Sequence, residues 1–112
     1  MRIIGYEDQR IGDLAFVYIR MQVGIERIEL ISKRRAQKLV EARILFTWIM
    51  RNHTGRRPAS FAAIGEMLGS RDPSSIRYLD VKADILRERN VGFNSLCAGF
   101  ADFERERRGE PV

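Results

Sequence analysis

Between Gly69 and Tyr78 the chain reads GSRDPSSIRY, a run that gathers Arg71, Asp72, Ser74, Ser75, Arg77 and Tyr78 around a glycine and a proline. Guanidinium groups donate forked hydrogen bonds, a carboxylate accepts them, and hydroxyls do both. Side by side at a turn, such groups suit recognition of another hydrogen-bonding surface. A second polar cluster, SKRR, lies earlier at Ser32–Arg35. Chemistry that makes or breaks bonds finds little support. No nucleophile is placed beside a histidine base, no paired acids fall in a recognisable frame, and the one histidine (His53) and one cysteine (Cys97) lie far apart in sequence. Neither catalysis, a metal, a disulfide nor a cofactor is expected.

Where the charge lies sharpens this reading. The whole chain carries +5, but Ser32–Tyr78 holds ten basic residues against three acidic ones, a net of +7, while the flanks carry 10 basic and 12 acidic. Positive charge confined to one segment is the pattern of a face that meets a polyanion. The C-terminal ERERRGE mixes both signs and reads as a solvated face.

The elements that must position these groups are helical. The chain is 112 residues long, 45% of them apolar, which suits one domain with one core. Nothing approaches the roughly 18 continuous apolar residues of a membrane helix, and MRIIGYEDQR lacks the apolar run of a secretory signal, so a cytoplasmic protein is expected. Alternating strand patterns are missing, and helical spacing recurs. Residues 12–22 form a first helix with Leu14, Val17, Tyr18 and Met21 on its inner stripe; VGIERIEL offers a turn at Gly24 and a short helical piece. SKRR is then a basic connector. Ala36–Asn52 is apolar almost all round and reads as the central helix. HTGRRPAS is a loop, after which Ser60 caps a short helix with Phe61, Ile64, Met67 and Leu68 on one face, ending at Gly69. Asp72 caps the next helix and Pro73 takes its first position, where a missing N–H costs nothing. Ile76, Leu79, Ala83 and Leu86 form its core stripe, leaving Ser74, Arg77, Tyr78 and Val81 outside.

Two short amphipathic helices joined by a tight turn inside a basic segment match a helix-turn-helix, whose second helix offers its N-terminal residues to the major groove of DNA. The joint pattern of SKRR, VEAR (Val40–Arg43), Thr54, IGEMLG and above all GSRDPSSI resembles the C-terminal DNA-binding domain of the bacterial replication initiator DnaA. That family's pattern there runs close to G-G-R-D-H-S/T-T-V. The resemblance spans about Leu14–Leu86, with a loop a few residues longer around Gly55–Ala59. It implies an all-α, Trp-repressor-like fold with a helix-turn-helix, double-stranded DNA as partner, and a place among regulators of replication initiation or transcription on the nucleoid, with replication proteins as further partners.

Carried over residue by residue, the resemblance sends Arg35 into the minor groove, with Lys33, Arg34 and Lys38 beside it. Arg43 and Arg51 would face phosphates. Ser60 and Phe61 would hold the sugar-phosphate chain at a helix start. Arg71, Asp72, Ser74 and Ser75 would belong to the recognition turn and helix, with Asp72 accepting from a cytosine amino group. Three departures stand out. Pro73 replaces the family's histidine and removes a hydrogen-bonding side chain. The loop insertion adds Arg56 and Arg57. No G-x-x-x-x-G-K-[ST] phosphate loop occurs, so neither nucleotide binding nor the initiator's ATPase module is expected, and the domain would stand alone.

A C-terminal extension, about residues 92–108, places Phe93, Leu96, Phe100 and Phe103 at helical steps. It is expected to pack on the same domain. The alternative is an interaction module or adaptor of the replication machinery that keeps the fold but not specific DNA binding and uses this apolar side for a partner protein; a monomer or a weak homodimer through this helix is expected. A chain ending near Arg89 would separate the two readings, since truncation is not expected to remove DNA binding but is expected to remove a partner.

Overall fold

A computed structural model describes residues 4–107. All secondary structure in that range is helical: α1 Tyr6–Val23, α2 Arg27–Leu30, α3 Gln37–Asn52, α4 Phe61–Met67, α5 Pro73–Arg89 and α6 Val91–Arg107. The all-α expectation therefore holds. The extension expected over 92–108 is α6, with residue 108 outside the described range.

The helix ends follow local rules. Gly24 turns left-handed at φ 72° and donates its N–H to the Arg20 carbonyl, closing α1. Glu26 and Glu29 form a reciprocal capping box on the short α2. The Ser60 hydroxyl accepts from the Ala63 N–H, and an Asp72 carboxylate oxygen accepts from the Ser74 N–H with Pro73 at the first helical position. The turn at Gly24 and the caps at Ser60 and Asp72 were legible in the sequence; the Glu26–Glu29 box was not read there.

Helix α3 is the centre of the fold. From Ala42 to Met50 every residue is buried, and α1, α5 and α6 pack around it. One helix departs from expectation. α1 begins at Tyr6, and its inner stripe is Ile11, Ala15, Tyr18 and Ile19, all 3% exposed or less. Of the stripe expected from sequence only Tyr18 is buried. Leu14 and Val17 are half-buried and Met21 is 56% exposed. The physical reason is that α1 touches two neighbours, α3 and α6. Phe16 lies against Phe46 with ring centroids 4.6 Å apart. The Tyr18 hydroxyl donates to the Leu96 carbonyl at 2.6 Å.

α6 turns its apolar side inward, burying Phe93, Cys97, Phe100 and Phe103. Of the residues that had suggested a partner surface, α6 buries Phe93, Phe100 and Phe103 and leaves Leu96 half-buried. Its ring cluster holds His53, whose imidazole sits between Trp48 (5.5 Å) and Phe100 (5.0 Å). Burial pushes the His53 pKa down, with Glu104 opposing by a smaller amount. A depressed histidine pKa means that below its ordinary range the unfolded chain takes up a proton that the folded chain refuses. Stability should therefore fall as pH drops from about 7 toward 5. Because His53 is the only histidine, His53→Gln should flatten that part of the profile in urea unfolding followed at several pH values. An unchanged slope would place the titration elsewhere.

Candidate nucleic-acid interface

Two glycines bring the basic loop and the helix-turn-helix together. Gly65, buried on α4, faces the Arg71 backbone so closely that a Cβ would collide with the Arg71 carbonyl oxygen, and the Arg71 N–H donates to the Gly65 carbonyl at 2.9 Å. This closes the turn between α4 and α5. Gly69, at φ +88°, lies against the backbone of Ile31, leaving no room for a side chain. The turn that begins the recognition helix is thereby set beside the loop that begins with Ser32.

Arginines then tie the two segments. Arg43 is 3% exposed. Its Nε donates to the Leu30 carbonyl at 2.8 Å, Nη1 to Arg34 at 2.8 Å, and Nη2 to Ser32 at 2.9 Å and Glu29 at 3.2 Å. Arg71 reaches the same loop from the other side, Nη2 donating to the Ser32 carbonyl at 2.5 Å while Nε donates to Leu68 at 3.0 Å. The expectation that Arg43 faces a phosphate is thus corrected. Its guanidinium is spent on carbonyl oxygens of the 29–34 segment, a match of planar donors to a curved backbone. Arg51 is likewise occupied: Nη1 donates to the Ala59 carbonyl at 2.9 Å, Nε stands 3.6 Å from an Asp80 carboxylate oxygen, and the guanidinium covers the Phe61 ring at 4.4 Å. Arg51 and Phe61 hold the junction of α3, α4 and α5.

The remaining cations face outward. Lys33, Arg34, Arg35 and Lys38 are exposed, Arg34 within 3.8 Å of Glu29. On α5, Asp72, Pro73, Ser74, Ser75, Arg77 and Tyr78 are exposed, whereas Ile76 is fully buried. Ser60 is exposed at the start of α4, and Arg56 and Arg57 lie in the exposed loop before it. Between the basic loop and α5 runs a cleft of about 340 Å³ lined by Arg35, Val40, Arg43, Arg71, Ser75, Tyr78 and Leu79. No carboxylate lines it. Burial lowers the pKa values of Arg43 and Arg71, and their neighbouring guanidinium groups lower them further. The cleft therefore concentrates positive charge. Sequence reasoning had not found the roles of the Glu29, Leu30, Ser32 and Arg34 carbonyls. No residue type signals a backbone acceptor.

Among the described residues no group of three or more His, Cys, Asp or Glu side chains is placed to hold a metal ion, and no helix is long and apolar enough to cross a membrane. Comparison with curated proteins and with solved structures found no match. Comparison with protein families matched residues 18–82 to the bacterial dnaA protein helix-turn-helix. The match runs from the middle of α1 into α5 and takes in the basic loop, the two glycine contacts and the recognition turn. The chain belongs to the helix-turn-helix family of the bacterial DnaA protein's C-terminal domain, a family that binds double-stranded DNA rather than one that catalyses a reaction.

Proposed function

We propose that the chain is a sequence-preferring DNA-binding protein that reads sites like the initiator's boxes and so regulates replication initiation or transcription. The observation that carries the reading is the clamp between two binding segments. Arg71 on the recognition turn and Arg43 on α3 both donate to the carbonyl of Ser32, so the recognition helix and the basic loop present as one surface. Such a surface suits a duplex entered at two adjacent grooves, α5 in the major groove and Arg35 in the minor groove. Lys33, Arg34, Lys38 and the start of α4 at Ser60 are then available to phosphates.

Fluorescence anisotropy titrations against duplexes with and without an initiator box, at two salt concentrations, test this. Tighter binding to the box is expected, with a salt slope that grows by roughly one for each phosphate contact. Arg35→Ala should cut the preference more than the general affinity. Equal, weak binding to both duplexes would remove sequence preference and leave only generic attraction to a polyanion.

A further inference from the structure

We infer that Arg77 adds to this chain's base preference by reading a guanine in the major groove. The inference rests on the duplex-reading function proposed above and goes beyond it by naming the reader and the base. The face of α5 opposite Ile76 is formed by Ser74, Arg77, Tyr78 and Val81, all exposed. An element entering a groove leads with this face.

The other side chains at this end of α5 are partly engaged or short. Asp72 gives a carboxylate oxygen to the Ser74 N–H at 2.8 Å, the bond that starts α5. Its second oxygen stays open, on a short stem at the helix start. Pro73 has no hydrogen-bonding side chain. Arg71 is drawn inward by the carbonyls of Leu68 and Ser32. Tyr78 has the ammonium of Lys82 over its ring at 5.9 Å. Ser74 and Ser75 carry a single hydroxyl on a short stem.

Arg77 differs from all of these. Among the described residues its guanidinium has no hydrogen bond, ion pair or ring contact. It sits little more than one turn into α5, and long helical side chains lean back toward the N-terminus, which carries its donors over Ser74 and Pro73 to the tip of the helix. A planar fork of donors matches the paired O6 and N7 acceptors of guanine. The other base edges in the major groove set a donor or a methyl group beside an acceptor, or offer a donor alone. Cations suited to phosphates are already supplied by the loop at Lys33–Lys38, to one side of α5.

The test selects duplexes from a randomised library with the full chain and with Arg77→Ala. Because Arg77 is exposed and unpartnered, the variant should fold normally, which circular dichroism checks. The wild-type motif is expected to contain a guanine that the variant's motif lacks. Replacing that guanine with 7-deazaguanine keeps base pairing and deletes N7. It should weaken the wild-type chain by roughly 10- to 100-fold and leave the variant unchanged. An identical motif from both proteins would overturn the inference. So would a uniform loss of affinity in the variant with a salt slope reduced by about one, the signature of a phosphate contact. If the wild-type chain selects no motif at all, the sequence-preferring function itself fails.

Discussion

Replacing Arg43 by alanine should lower the melting temperature by on the order of 10–20 °C, a loss of about 3 kcal/mol or more. The change removes every donor that reaches the Glu29, Leu30, Ser32 and Arg34 carbonyls from α3. A charge-assisted hydrogen bond contributes about 1.5–3 kcal/mol, and the Leu30 and Arg34 carbonyls, left without that donor, add their own desolvation cost. Arg43→Lys should recover only part of this, since an ammonium lacks the planar fork that spans those oxygens. DNA binding should weaken as a consequence, through loosening of the Ser32–Arg35 loop, in proportion to the lost stability. The opposite pattern, an unchanged melting temperature with a shallower salt slope of binding, would return Arg43 to the phosphate role that the resemblance implied.

Arg43 also marks the limit of what the sequence disclosed about the site. Its place within VEAR was visible, and the resemblance implied a phosphate contact for it. Whether a guanidinium turns out to solvent or in to a loop depends on where that loop folds, and the loop's position is set by Gly69 against Ile31, a contact between segments far apart in the chain. Arg51 is a similar case, because its partners Ala59 and Asp80 are brought to it by the packing of α4 and α5. By contrast Asp72, Pro73 and Ser60 act through their own backbone neighbours, so their capping roles could be read directly from SRDPSS and PASFAA.

The same division runs through the fold. α3 was legible because it is apolar on nearly every side, and α5 because Ile76, Leu79, Ala83 and Leu86 make one clean stripe. α1 was misread in register because it is also apolar on several sides, with two partners claiming different faces. A single-stripe reading of Leu14, Val17, Tyr18 and Met21 takes no account of α6, which occupies the flank where Tyr18 meets Phe100 and Phe103 at 5.3 and 5.1 Å. Helical periodicity shows that a face exists. Which face becomes the interior is decided by the element that arrives last in the chain.

Phe100→Ala should cost about 3–5 kcal/mol, because the ring is fully buried and its removal leaves a cavity that α1 and α3 are poorly able to close. The lost ring stands edge-on to Tyr18 at an interplanar angle of 85° and meets His53 at 5.0 Å, so one truncation frees contacts from α6 to both α1 and the end of α3. Ending the chain near Arg89 should do more harm still, exposing Tyr18, Leu45 and His53 together. This revises the expectation that such a truncation would spare DNA binding, since α6 supplies part of the core on which α5 rests. The recognition turn lies at the opposite end of α5 from the start of α6, so the folded fraction of Phe100→Ala should keep the sequence preference of the unaltered chain. Urea unfolding paired with duplex titration separates these effects. A normal unfolding midpoint would mean that α6 is not part of the core, whereas a changed sequence preference in the folded fraction would mean that α6 takes part in recognition.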